Sequence, residues 1–423
     1  MELLKLGSRG PRVREVQSIL KQMGYYRGTV DGIYGSQTEA AVRNFQKNMV
    51  LIADGIVGEN TYRALGRYLS GYDVYTIRPG DTFYKIAKKY NTNLYSILLA
   101  NPNIDPYNLQ VGNEIIVPYS IPVVQTDIDY TYEILERDIN GLKRRYPFIE
   151  VGSIGKSVLG RELYYLKLGN GPNKVFYNGA HHSLEWITTP LLMKFAENFI
   201  RSYAFGEEMR GYNIGDIWSR STIYIVPMVN PDGVDLVLNG LNRDNPYYDE
   251  LIVWNNGSTD FSTNWQANNR GVDLNHNYNA SWQKSKDAEK EYGIYGPGPT
   301  RYSGPYPESE PETQAMVKFT REHDFRLTLA YHSQGEVIYW QYSTLTPPES
   351  ERIVEIFAEV SGYTPSQTEG IASYAGYKDW FIEEFRRPGF TIEVGLGKNP
   401  LPISQFDKIY EDNEELLLIA SVI

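Results

Sequence analysis

A chain of 423 residues with 41 Lys and Arg against 52 Asp and Glu has a net charge of −11, which argues against nucleic acid or another polyanion as partner. It is too long for one ordinary domain, so two or three units are expected. The absence of cysteine excludes a disulfide scaffold and a thiol nucleophile and fits either a cytosol or a Gram-positive exterior. No apolar run approaches the roughly 18 residues of a membrane span. The N-terminal MELLKLGSRGPRVREV contains no long apolar stretch of the kind a secretory signal needs, which leaves a mature form, an unusual export route or release by lysis.

In chain order, a short repeat comes first. VDGIYGSQTEAAVRNFQ from Val30 is echoed by ADGIVGENTYRAL from Ala53, each an Asp-Gly-Ile-x-Gly turn leading into a helix. The glycines permit positive φ, and Ser36 or Glu59 with the following threonine is expected to cap each helix. Val13, Val16, Ile19 and Leu20, then Ala41, Val42 and Phe45, recur at helical spacing and predict a small three-helix unit. Both copies of the motif resemble the peptidoglycan-binding domain, which implies a wall-binding module over residues 1–68.

The next segment, YTIRPGDTFYKIAKKYNTNLYSILLANPNIDPYNLQVGNEIIVPY, predicts strand, turn, helix, helix, strand. Pro79-Gly80-Asp81-Thr82 ends the first strand and caps a helix on which Ile86, Ala87 and Tyr90 share a face, and Asn101-Pro102-Asn103 stops the second helix. This segment resembles a LysM module, expected over residues 73–119, and the resemblance implies binding to N-acetylglucosamine-containing strands. The 35 tyrosines suit sugar stacking, although packing accounts for most of them. Pro122 and the polar residues after it read as a linker ending near Thr126.

Residues 126–423 are the only part large enough for an enzyme. NKVFYNGA, STIYIVPMVN, RLTLAYHS and GFTIEVG are apolar and β-branched, and helical stretches such as TTPLLMKFAENFIRSYA alternate with them. The alternation predicts an α/β domain with a largely buried mixed sheet flanked by helices, its active groups at strand ends. His181, His182 and Glu185 follow the first of these strands, His332 ends the third, and Glu393 lies in the fourth. A zinc hydrolase needs three ligands from imidazole and carboxylate, an open position and a separate base, and this inventory supplies them. Spacing alone does not choose between the adjacent histidines, since either lies within one turn of Glu185.

The HxxE pair, NPDG at Asn230, GVDLN at Gly271, HSQG at His332 and the late strand glutamate occur in the order found in the zinc carboxypeptidase family, which the segment resembles throughout. The resemblance implies one Zn2+ per chain held by His182, Glu185 and His332, with Asp273 orienting the first histidine and Glu393 as general base. It makes His181 a structural neighbour, and His323 is left as structural too.

Departures from the family narrow the chemistry. Family members that remove C-terminal residues carry arginine after the asparagine of GVDxN, and the pair clamps a terminal carboxylate. Here Asn275 is followed by His276, which puts that activity in doubt. The position expected to hold an oxyanion cation aligns with Gln266, and Arg270 four residues on is the candidate substitute. Lys378, where the specificity pocket is deepest, suits a side chain ending in a carboxylate, and Tyr374 or Tyr377 is expected to cover the bound substrate. Two wall modules joined to such a site imply a peptidase similar to γ-D-glutamyl-meso-diaminopimelate peptidases, with peptidoglycan as partner. The expected location is the bacterial wall or spore, with cytoplasmic or forespore accumulation as the route. The competing expectations are a carboxypeptidase acting on C-terminal residues and a wall-binding protein with a vestigial zinc site.

Overall fold

The structure, a computed structural model, describes residues 3–423. Contacts divide it into two units, one running to Asp129 together with Glu133–Glu150, the other comprising Tyr130–Tyr132 and Val151–Ile423. In the first unit, α1 (Pro11–Gln22), α2 (Ser36–Asn48) and α3 (Glu59–Leu69) bury Val13, Val16, Leu20, Val42, Phe45 and Leu65 in one core, the apolar faces that the spacing predicts.

The sequence repeat is also a repeat of hydrogen bonding. Gln17 Nε2 lies 2.9 Å from Asp31, 3.1 Å from the Ile33 carbonyl and 3.1 Å from Thr38, and its Oε1 accepts from Gly32 N–H. Gln46 makes the same set with Asp54, Ile56, Thr61 and Gly55. Gly32 and Gly55 sit at φ 73° and 72°, the left-handed conformation that aims each amide at its glutamine. The capping expectation is corrected here. Gly35 and Gly58 occupy the N-cap positions without a side-chain cap, Ser36 and Glu59 are the first helical residues, and Thr38 and Thr61 serve the glutamines instead.

The following segment forms β1 (Tyr72–Thr76), α4 (Phe83–Tyr90), α5 (Leu94–Ala100) and β2 (Glu114–Pro118), with β1 and β2 antiparallel. Thr82 caps α4 by accepting from Lys85 N–H. Asn101 does more than stop α5: its amide donates to the Ile116 carbonyl and accepts from Ile116 N–H, stapling the helix end to β2. Most of α6 (Tyr132–Arg145) belongs to this unit, where Arg137 pairs with Glu15 of α1.

The second unit contains β3 (Glu150–Lys156), β4 (Glu162–Gly169), β5 (Asn173–Gly179), α7 (Thr188–Phe205), a hairpin of β6 (Glu208–Met209) and β7 (Tyr212–Asn213), and α8 (Ile214–Arg220). Then come β8 (Ser221–Val226), α9 (Pro231–Asn239), α10 (Tyr248–Trp254), α11 (Trp282–Ala288) and α12 (Pro311–Glu322). β9 (Leu327–His332), β10 (Val337–Tyr339), α13 (Glu349–Ser361), β11 (Thr364–Ser366), α14 (Tyr377–Phe385), β12 (Gly389–Glu393) and α15 (Phe406–Ala420) complete it. The sheet has eight strands in the order β11-β10-β12-β9-β5-β8-β4-β3. Its centre, β12-β9-β5-β8, is parallel and consists of the four strands expected from their apolar runs. β8 and β9 are buried at every position, which explains why they lack alternation. The short or half-polar strands β3, β4, β10 and β11 carry too weak a pattern to be foreseen. Register then positions the chemistry, because Glu393 pairs with His332 and Gly179 with Tyr331, bringing the ends of β5, β9 and β12 to one edge.

Candidate active site

β5 ends at Gly179, and Ala180 turns the chain at φ 52°, so that His182 leads into a 3-10 turn over Ser183–Glu185. The turn is held from behind. Ser183 N–H donates to the Gln266 carbonyl, Ser183 Oγ lies 3.0 Å from the Ala267 carbonyl, and Asn230 of NPDG bonds the carbonyls of His181 and Ala267. In the same motif Asp232 is buried against Arg161 and accepts from Leu159 N–H.

His182, Glu185 and His332 converge, with one donor atom from each lying within 4.8 Å of the others. His182 Nδ1 is 2.9 Å from Glu185 Oε1 and His332 Nδ1 is 2.8 Å from Oε2. His182 Nε2 meets Asp273 at 3.0 Å. Asp273 is itself fixed by Arg301 N–H at 2.8 Å and Asn275 N–H at 3.2 Å. Burial alone would raise Glu185, but the two imidazoles overrule it and bring its carboxyl down to about 2. Burial alone would lower His182, but Glu185 and Asp273 hold it well above the usual range. Two imidazole nitrogens and a carboxylate, buried together with an outer carboxylate on one ring, fit a catalytic zinc, and no other group of three ligands gathers this way among the described residues. His181 faces away, with Nε2 2.9 Å from the Tyr278 hydroxyl.

Glu393 keeps part of its surface open to a cleft of about 530 Å³ that also reaches His182, Asn275, His276, Lys378 and Asp379. Crowding by protein and the neighbouring Glu185 carboxylate push its carboxyl well above the usual range, the direction a general base near neutral pH needs. His276 is buried, its Nδ1 3.3 Å from Ser285 Oγ, and burial lowers its pKa. A neutral imidazole therefore stands where an arginine would clamp a terminal carboxylate. Lys378 is buried rather than a surface lysine, but its ammonium is already engaged by Asp379 and by the Gln341 carbonyl at 2.6 Å.

Tyr377 is placed where it cannot reach a substrate, and two further candidates are engaged by other groups. Tyr377 is fully buried, with its hydroxyl 3.1 Å from Thr320, and cannot cover a substrate; Tyr374 is partly exposed and lines the adjoining cavity. Arg270 is held by the Tyr247 hydroxyl at 3.3 Å and lies 3.8 Å from Glu310, and it does not line the cleft. Gln266 is likewise absent from the cleft lining, its Oε1 accepting from Thr300, whose Oγ1 stands 3.3 Å from Asp273. Sequence reasoning missed Asn399, whose Nδ2 lies 3.3 Å from Glu185 Oε1, and Asp379. Asn399 arrives on an irregular loop with no periodic signal, and the Lys378-Asp379 adjacency was the one clue to the second.

Residues 135–416 match the zinc carboxypeptidase family. The chain belongs to that family. Residues 9–65 match a peptidoglycan-binding domain and 75–118 a LysM domain. This zinc carboxypeptidase relative is 44% identical, over 79% of its own length and 96% of the other's, to γ-D-glutamyl-L-diamino acid endopeptidase 1 of Lysinibacillus sphaericus. It is 37% identical to the uncharacterized protein YqgT of Bacillus subtilis over 68% of this chain and 76% of that one. Carboxypeptidase A of Helicoverpa armigera shares the fold at a TM-score of 0.53 and 17% identity, covering 89% of this chain and 92% of that one. The protein is thus a zinc metallopeptidase using one zinc, with wall-binding domains ahead of the hydrolase. No helix among the described residues is long and apolar enough to cross a membrane.

Proposed function

We propose that this enzyme hydrolyses the bond between γ-D-glutamate and the diamino acid of murein stem peptides, tethered to the wall by its first two modules. The observation that carries the reading is its similarity to γ-D-glutamyl-L-diamino acid endopeptidase 1 across nearly the whole of that protein. Neutral His276 supports it, since the cleft lacks the fixed cation an exopeptidase uses on a terminal carboxylate. Modules for N-acetylglucosamine-containing strands would raise the local substrate concentration.

His182, Glu185 and His332 would hold the zinc, which supplies Lewis acidity toward the γ-amide carbonyl. Asp273 accepts from His182 Nε2 and so keeps Nδ1 available as a ligand. Glu393 takes a proton from the attacking water and returns it to the leaving amine of the diamino acid. Asn275 and the Lys378–Asp379 pair line the cleft and would orient the diamino acid, the pair facing a diaminopimelate side-chain end that carries both an amine and a carboxylate.

Mass spectrometry of purified stem peptides tests the reading. Incubation should yield L-alanyl-D-glutamate and a fragment beginning with the diamino acid. Release of the C-terminal residue first would favour the carboxypeptidase reading, and intact peptides with a zinc-loaded enzyme would favour a purely wall-binding role.

A further inference from the structure

The cleft that holds Glu393 does not end at Lys378. A second cavity of about 510 Å³ shares Gln367 and Thr368 with it, and the Gln341 carbonyl that accepts from Lys378 belongs to the second cavity's wall. The two chambers differ in character. Lys378 and Asp379 close the first as a buried, mutually neutralised pair. The second carries exposed cations, Lys284 and Arg386, on its walls. It presents two cations against one carboxylate. Glu383 takes the Tyr342 hydroxyl at 2.8 Å, whereas Lys284 stands 5.6 Å from the Tyr374 ring centre, and among the described residues neither Lys284 nor Arg386 makes an ion pair.

We infer that this second cavity is a binding subsite for the residue that follows the diamino acid, and that Lys284 and Arg386 receive its carboxylate. The inference rests on the proposed cleavage at the diamino acid. A diamino acid within a stem peptide is a branch point, with its side chain leaving in one direction and the main chain continuing in another. A chamber floored by the buried Lys378–Asp379 pair suits the side chain, which stops. A chamber joined to it and lined by cations without ion-pair partners among the described residues suits the main chain, which continues to a D-alanine carrying a free carboxylate. Charged donors to that carboxylate strengthen binding and fix direction. Tyr374, on the same wall, contributes its ring to the Lys284 side.

The test compares three peptides that share the γ-D-glutamyl–diaminopimelate bond: the tripeptide, the tetrapeptide ending in D-alanine, and the same tetrapeptide as its C-terminal carboxamide. Zinc-loaded full-length enzyme should cut the tetrapeptide acid with a kcat/KM about tenfold above that for the carboxamide, the scale of one charge-assisted contact. In Lys284→Gln/Arg386→Gln that preference should vanish, and the ratio of tetrapeptide to tripeptide should fall by a similar factor. A wild type indifferent to the carboxamide, a measurement that needs no variant, overturns the subsite. So does a preference that survives in the double variant. A wild type that cuts none of the three overturns the assigned bond and the subsite with it, a pattern distinct from the other two.

Discussion

At the residue scale the site is a contest between burial and charge. Glu185, Asp273, His182 and Glu393 lie in one region and titrate away from their ordinary ranges, Glu393 upward chiefly through burial and then the charge of Glu185, the other three against burial through the charges of their neighbours. Removing one zinc ligand deletes a donor and leaves a charge imbalance, so His182→Ala, Glu185→Ala and His332→Ala should each lose the metal by elemental analysis, while His181→Ala, whose ring faces Tyr278, should retain most of it. Glu393→Gln keeps shape and zinc but cannot accept a proton, and its kcat should drop by at least about 10²-fold; near-normal turnover in a zinc-loaded variant would remove Glu393 from the mechanism. Glu312 offers a separate test of burial. It accepts from Val158 N–H at 2.9 Å, and burial followed by the charge of Asp232 pushes its carboxyl up to about 8 from the usual 4.5 of a free glutamate. The folded state therefore binds more protons than the unfolded chain between those values, so this group's contribution is present at low pH and is lost as pH rises toward 8. Melting temperatures measured across that window should decline more steeply for wild type than for Glu312→Gln; equal slopes would mean that the carboxyl is already ionised when folded.

At the scale of elements, the N-terminal repeat shows how a short motif carries structure. Asp-Gly-Ile-x-Gly is legible because glycine adopts positive φ cheaply, but the glutamine that closes each turn, Gln17 or Gln46, lies on the preceding helix and gives no signal of its own. Gln46→Ala would leave the buried Gly55 N–H without its partner and remove a donor from Asp54, and urea unfolding should register a loss of about 1–3 kcal/mol in the first unit. In the hydrolase, the four central strands were legible because burial on both faces makes them continuously apolar. The flanking strands owe their conformation to neighbours they pair with, which no local pattern records.

For the whole molecule, anchoring and chemistry are assigned to different stretches of chain, since every zinc ligand and Glu393 follow Val151. A protein beginning at Thr126 should still cleave small soluble stem peptides but digest insoluble murein much more slowly at low enzyme concentration. It should also melt at a lower temperature, because α6 would lose the Glu15 partner of Arg137. Loss of soluble-peptide turnover with zinc retained would show that the first unit shapes the active site.

By itself the sequence determined the order of modules, the central strands and the chemical inventory of the site, since periodicity, turn residues and ordered motifs are local properties. His182 could be separated from His181 only through the family resemblance; in the structure the Ala180 turn and Asp273 aim one ring at Glu185, and Tyr278 takes the other. Tertiary structure alone decided that Tyr377 is core, that Lys378 is neutralised by Asp379, that Arg270 donates to Tyr247 and that Gln266 accepts from Thr300. The reason is common to all four. Where a side chain points depends on what packs against it from distant parts of the chain, and burial sets both its charge state and its reach.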